Sequence, residues 1–263
     1  MRRFIPFALA GMIAATLVVP SIAGAAATGV RYDSTPAPGT VSVPSVGPEA
    51  YSFNQVGNEV ILKHNVAIKH VSVTMVSWAC QSGHWTGLAA NGGRCLTTPG
   101  ATFRVPITLK LRAHSTRDAD TGVIRAGRML GKVTKTFHIR YRPSSQSATE
   151  SRYMGIDDQL HNGIAQTITF PITTKLGSDV VWTVSYNTAH SGPKPVGRAT
   201  PADSLNVGLS PSVRVGHDRY SDSLMWDTRE MGNTGGAPFV AGQLNLDSNA
   251  WHGYVPAARF STH

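Results

Sequence analysis

The stretch TFRVPITLKLR, Thr102 to Arg112, alternates apolar and polar side chains along its length. Phe103, Val105, Ile107, Leu109 and Leu111 fall on one side, and Arg104, Thr108, Lys110 and Arg112 on the other. Successive side chains of an extended chain point to opposite faces, so this is a strand with one buried and one wetted face. Pro106 lies on the polar side. Proline has no N–H to give a ladder, so an edge position or a bulge is expected there.

The same period recurs on both sides of that stretch. Upstream it places Val71, Val73 and Met75 together. Downstream it places Val133, Phe137, Ile139 and Tyr141, then Ile164, Ile168 and Phe170, then Val180, Trp182, Val184 and Tyr186. Leu205, Val207 and Leu209 follow, and Tyr254, Ala258 and Phe260 close the series. Turn-forming clusters such as Ser191-Gly192-Pro193 and 232–236 separate the runs. Residues 150–162 leave room for one short helix. Many one-sided strands joined by turns predict an all-β protein, an antiparallel two-sheet β-sandwich of jelly-roll or Greek-key type.

The first 27 residues have another character. Arg2 and Arg3 precede an apolar run from Phe4 to Val19, and Ala23 to Ala27 offer an A-x-A site. That order reads as a secretory signal peptide cut after Ala25 or Ala27. The apolar run is short for a membrane span, which takes about 20 residues. No second apolar segment or sorting signal follows, so the mature chain is expected without a span, secreted or held at the cell surface. Residues 28–50 carry Pro36, Pro38, Pro44 and Pro48 and read as an extended lead-in. Residues 51–263 read as a single sandwich domain.

The chain has 24 Lys plus Arg against 15 Asp plus Glu, a net charge of +9. Such a surface favours anionic envelope polymers or glycans. The basic residues are scattered, with no basic helix and no aromatic RNA-binding strand, so no specific nucleic acid is expected. Cys80 and Cys95 are the two cysteines. In an exported chain such a pair predicts a disulfide, closing a polar loop that carries His84 and Trp85.

No complete catalytic signature is present. Asp157 and Asp158, with Glu150 nearby, are carboxylates in a loop, and adjacent side chains of an extended chain diverge. Asp118, Asp120 and Gly122 form D-x-D-x-G, which suits Ca²⁺ in part but lacks the closing Glu of an EF-hand. It reads as a turn, and neither cofactor nor metal is expected. Gly208-Leu209-Ser210-Pro211-Ser212 lacks the final Gly of a nucleophile elbow. The ten histidines form no H-E-x-x-H. Aromatic residues are the better binding material. Trp85 in the cysteine loop, with Tyr186, Asn187 and His190 where a strand runs into a turn, are the candidate ligand contacts. Trp182 reads as core, and Trp78 fits either role.

Five stretches together resemble a family of secreted bacterial proteins of unknown function. They are Ser77-Trp78-Ala79-Cys80-Gln81-Ser82-Gly83, Thr97 to Phe103 (TTPGATF), Tyr186-Asn187-Thr188-Ala189-His190, Asp203 to Ser210 (DSLNVGLS) and Trp251 to Phe260 (WHGYVPAARF). The resemblance implies an extracellular β-sandwich module and brings no activity or catalytic residue with it. The expected function is therefore a non-catalytic envelope or extracellular binding or structural module with a glycan as the candidate ligand. The alternative is a secreted jelly-roll hydrolase of polysaccharide that brings acids such as Asp157 and Asp203 together by folding.

Overall fold

The computed structural model describes residues 29–51, 53–64, 67–120, 124–187, 201–226, 244–246 and 251–263. The signal-peptide segment, the turn clusters at 191–193 and 232–236, Gly122 and His190 lie outside the described residues. The fold is a two-sheet antiparallel β-sandwich, as the alternation predicts.

One sheet is built from β1 (Val30–Asp33), β2 (Ser45–Val46), β4 (Ala67–Ser77), β11 (Ile164–Lys175), β13 (Leu205–Ser210), β17 (Val255–Pro256) and β18 (Ala258–Ser261). The other contains β3 (Gln55–Ile61), β5 (Thr102–Ala113), β6 (Thr116–Arg117), β7 (Ile124–Arg125), β8 (Met129–Arg140), β12 (Asp179–Tyr186), β14 (His217–Asp218), β15 (Leu224–Trp226) and β16 (Leu244–Leu246). A separate hairpin joins β9 (Tyr153–Met154) to β10 (Leu160–His161). The helix α1 (Pro48–Tyr51) is a single turn.

The predicted apolar faces meet in the middle. Val71, Val73 and Met75 of β4 and Phe170 of β11 are fully buried against Ile107, Leu109 and Leu111 of β5 and Val180, Trp182 and Val184 of β12 within one core cluster. Each such aliphatic or aromatic side chain contributes about 1.5–3 kcal/mol on leaving water. A smaller cluster of Ile124, Val181, Leu224 and Leu244 covers the outer side of β12, because β5 turns at 114–115 into β6 and β7, which curl back through β16 and β15. The seam between the sheets is closed on one side by side chains that bond to main-chain carbonyls of the facing strand. Arg140 Nη2 donates to the Ala165 carbonyl at 2.7 Å, and Gln166 Nε2 donates to the His138 carbonyl at 2.9 Å.

Two expectations change. β5 is an inner strand, paired with β12 on one flank and β8 on the other. Pro106 is tolerated there because the pairing with β12 ends one residue earlier, at Ile107 opposite Tyr186. Residues 150–162 form the β9–β10 hairpin rather than a helix. Tyr153 is buried, its hydroxyl donates to the Gly163 carbonyl at 3.0 Å, and the turn uses Asp158 at φ +56°. The Pro-rich lead-in joins the sheet directly: β1 pairs with β18 and β2 with β13.

Candidate functional site

A cleft of about 590 Å³ opens where β4 runs out at Ser77, beside α1 and the start of β13. Trp78, Trp85 and Trp251 line it together with the amides Asn162 and Asn206 and the carboxylate Glu49. Ser45 and Ser204 add hydroxyls.

Local chemistry explains each position. Trp78 directly follows β4, and its N–H donates to the Ser204 carbonyl at 2.9 Å. Its indole lies against Gly163, where a Cβ would sit 2.3 Å from Trp78 Cδ1. Trp85 is carried on the loop closed by the Cys80–Cys95 disulfide, whose Cα atoms are 5.4 Å apart. Ser82 pairs with Leu96, just past the second cysteine, and inside the loop the His84 N–H donates to the Gly93 carbonyl at 3.0 Å. The Trp85 ring meets Trp78 at 4.8 Å and 82°, an edge-to-face corner. The indole N–H of Trp85 is enclosed without a hydrogen-bond partner among the described residues. Trp251 leans on Tyr254 at 5.6 Å and 72°.

Below the loop lies a fully buried guanidinium. Arg142 Nη2 donates to the Ser151 carbonyl at 2.6 Å, Nε to the Pro143 carbonyl at 3.3 Å, and Nη1 reaches the Trp85 carbonyl at 3.5 Å. Burial lowers its pKa to about 10. Arg142 thus ties the backbone of Trp85 to the segment that leads into the β9–β10 hairpin.

The polar side is equally specific. Asn206 Nδ2 donates to Ser45 Oγ at 3.0 Å, and Asn206 Oδ1 would be 1.8 Å from a Cβ at Gly47. Ser204 Oγ donates to Glu49 Oε2 at 3.2 Å, and His84 Nε2 lies 3.6 Å from Glu49 Oε1. Indole faces, amides and a carboxylate in one concavity suit a ligand with C–H faces and hydroxyl edges, such as a sugar ring.

Of the sequence-predicted contacts, Trp85 lies in this cleft. Tyr186 and Asn187 line a separate hollow of about 480 Å³ with Lys110 and Trp226. The Tyr186 hydroxyl donates to the Leu205 carbonyl across the sandwich, and burial pushes its pKa up, so the phenol stays protonated as a brace between the sheets. The structure does not bring Tyr186 or Asn187 to Trp85, and His190 lies outside the described residues. The sequence reading missed Glu49, Asn162, Ser204 and Asn206 as partners, while Trp251 stood among the aromatic residues read as binding material. Trp78, Ser204, Asn206 and Trp251 do fall within three of the stretches that carry the resemblance.

The acids singled out in the sequence, Asp157, Glu150 and Asp203, share no described cavity. Asp157 pairs with His161 at 2.9 Å across the β9–β10 hairpin, and that hydrogen bond holds its carboxyl below the usual range. Glu150 is held down to about 2 by hydrogen bonds from Arg152. Asp203 is buried in the turn before β13 and shares no cavity with Asp157 among those described. Glu49 is the one carboxylate in the described lining of the tryptophan cleft. Glycoside hydrolysis in its usual form uses two. Asp118 Oδ1 accepts the Asp120 N–H at 3.1 Å, an Asx turn. Among the described residues no group of three or more His, Cys, Asp or Glu is placed to hold a metal. No described helix is long and apolar enough to cross a membrane.

A larger groove of about 710 Å³ runs between residues 35–41 and the β9–β10 turn, with Arg140 and Arg259 in its lining. It contains no indole. Comparison with family models, with curated proteins and with solved structures gave no match.

Proposed function

We propose that this protein is a non-catalytic binding module of the extracellular space or cell envelope, and that a glycan occupies the Trp78–Trp85–Trp251 cleft. One observation carries the reading: among the described residues, three indoles and two side-chain amides share one concavity with a single carboxylate. Aromatic faces cover the apolar side of a pyranose while amides satisfy its hydroxyls. The charged, apolar and small-residue order of the first 27 residues supports export, and the disulfide fits an oxidising compartment. The excess of cations, a net charge of +7 once Arg2 and Arg3 leave with the signal peptide, supports contact with an acidic envelope at its surface.

The test is retention on immobilised envelope polysaccharide. Loss of one stacking indole is worth about 1.4 kcal/mol, a tenfold change in affinity. Trp85→Ala and Trp251→Ala should each weaken retention about tenfold with the fold intact by circular dichroism. Tyr186→Phe, which removes only the hydroxyl at the brace, should retain like the parent. Equal retention by parent and both tryptophan variants refutes the reading.

A further inference from the structure

We propose that the cleft selects a sugar with a free, protonated amine over its N-acetylated or acidic counterpart; this rests on the glycan reading above. The lining includes Glu49 and, among the described residues, no Lys or Arg, in a chain where cations outnumber anions 24 to 15. Glu49 has acceptor capacity to spare. Its Oε2 takes one hydrogen bond from Ser204, its Oε1 stands 3.6 Å from His84, and the side chain is 40 % exposed. An ionised carboxylate offers about four acceptor sites.

The indoles point the same way. Three indoles, Trp78, Trp85 and Trp251, line the same cleft, and an indole π-face attracts an ammonium group. The amides Asn162 and Asn206 serve hydroxyls and do not distinguish charge. An N-acetyl group removes the positive charge that Glu49 would meet. A uronic acid brings a second negative charge beside Glu49. The chain's overall positive charge opposes cations at a distance, but beyond about 8 Å it is screened at physiological salt. The selectivity therefore arises by contact inside the cleft.

The experiment is titration calorimetry of the full chain with trimers of glucosamine, N-acetylglucosamine and galacturonic acid. It is run at physiological ionic strength and a pH that keeps the amine protonated. The glucosamine trimer should bind at least tenfold tighter than the other two. Glu49→Gln, which preserves shape and the acceptor for Ser204, should shrink that advantage to within twofold by weakening the glucosamine trimer far more than the N-acetylated one. Equal or tighter binding of the N-acetylated trimer by the parent overturns the amine selectivity and leaves the glycan reading standing. So does an advantage that survives in Glu49→Gln. Binding of none of the three overturns the glycan reading itself.

Discussion

Removing the disulfide separates two roles that the cysteine loop could have. The Cys80–Cys95 bridge spans 15 residues in sequence. In the chain-entropy description, closing a loop of that length takes about 3 kcal/mol of disorder away from the unfolded chain. The double replacement Cys80→Ala/Cys95→Ala should therefore lower the unfolding free energy by about 3 kcal/mol. For a domain of this size that corresponds to a Tm lower by roughly 6–12 °C. The folded loop keeps its other ties: the Ser82–Leu96 bridge, the Arg94 Nη2 bond to the Ser145 carbonyl at 2.8 Å, and the reach of Arg142 to Trp85. The tryptophan corner should then survive in the native state. Urea titration by near-ultraviolet circular dichroism measures the stability loss, and ligand retention well below the Tm measures the cleft. A loss under about 1 kcal/mol would show that the unfolded loop is not freed. Full stability loss with retention also abolished in the folded variant would show that the bridge itself holds Trp85, and the reasoning would fail.

Gly163→Ala places a methyl 2.3 Å from Trp78 Cδ1 and 2.6 Å from Val76 Cγ1. It should cost about 1–3 kcal/mol by overpacking and displace the indole, read as lost stability in urea and roughly tenfold weaker retention. Arg142→Met should cost about 3 kcal/mol in urea titration, because the Ser151 and Pro143 carbonyls lose a charged donor. Asp218 supplies a pH dependence. Burial raises its pKa from 3.8 to about 6, although Tyr32 and Asn58 donate to it at 2.6 and 3.1 Å. The folded state therefore favours the protonated acid, so its contribution is best below about pH 4 and is lost as pH rises through about 6. Between pH 7 and pH 5 the parent should regain about 1 kcal/mol that Asp218→Asn does not, measured by denaturant midpoints at both pH values.

The sheets were legible because burial on one face leaves its period in the residues. Phe103, Val105, Ile107, Leu109 and Leu111 are all buried, as their spacing requires. Trp182 is core because it shares a face with Val180 and Val184. The disulfide was legible from compartment and count. The β9–β10 hairpin was harder to read, since Asp157 and His161 stand four apart, a helical spacing, yet here they meet across a turn. Pro106 suggested an edge because composition cannot reveal that a neighbouring strand stops one residue short.

The cleft was legible only in part. Trp85 stood out by lying between two cysteines. Its partners come from α1, from the start of β13 and from near the end of the chain, and no local pattern announces that they converge. Tyr186 looked like a ligand contact because it ends a strand. Its hydroxyl instead reaches the Leu205 carbonyl in the opposite sheet.

The pairing of β1 with β18 sets how this molecule would respond to mechanical load. Val30 lies opposite Ser261, and the Thr262 N–H donates to the Gly29 carbonyl at 2.9 Å, so both strands leave the sheet at the same corner. A pull between Gly29 and His263 would act across these hydrogen bonds and break them one after another, as a zip opens, rather than shearing them all at once. The same proximity would let a short covalent link join the two positions, with new ends opened at an exposed turn such as Gly177, without forcing the sandwich apart.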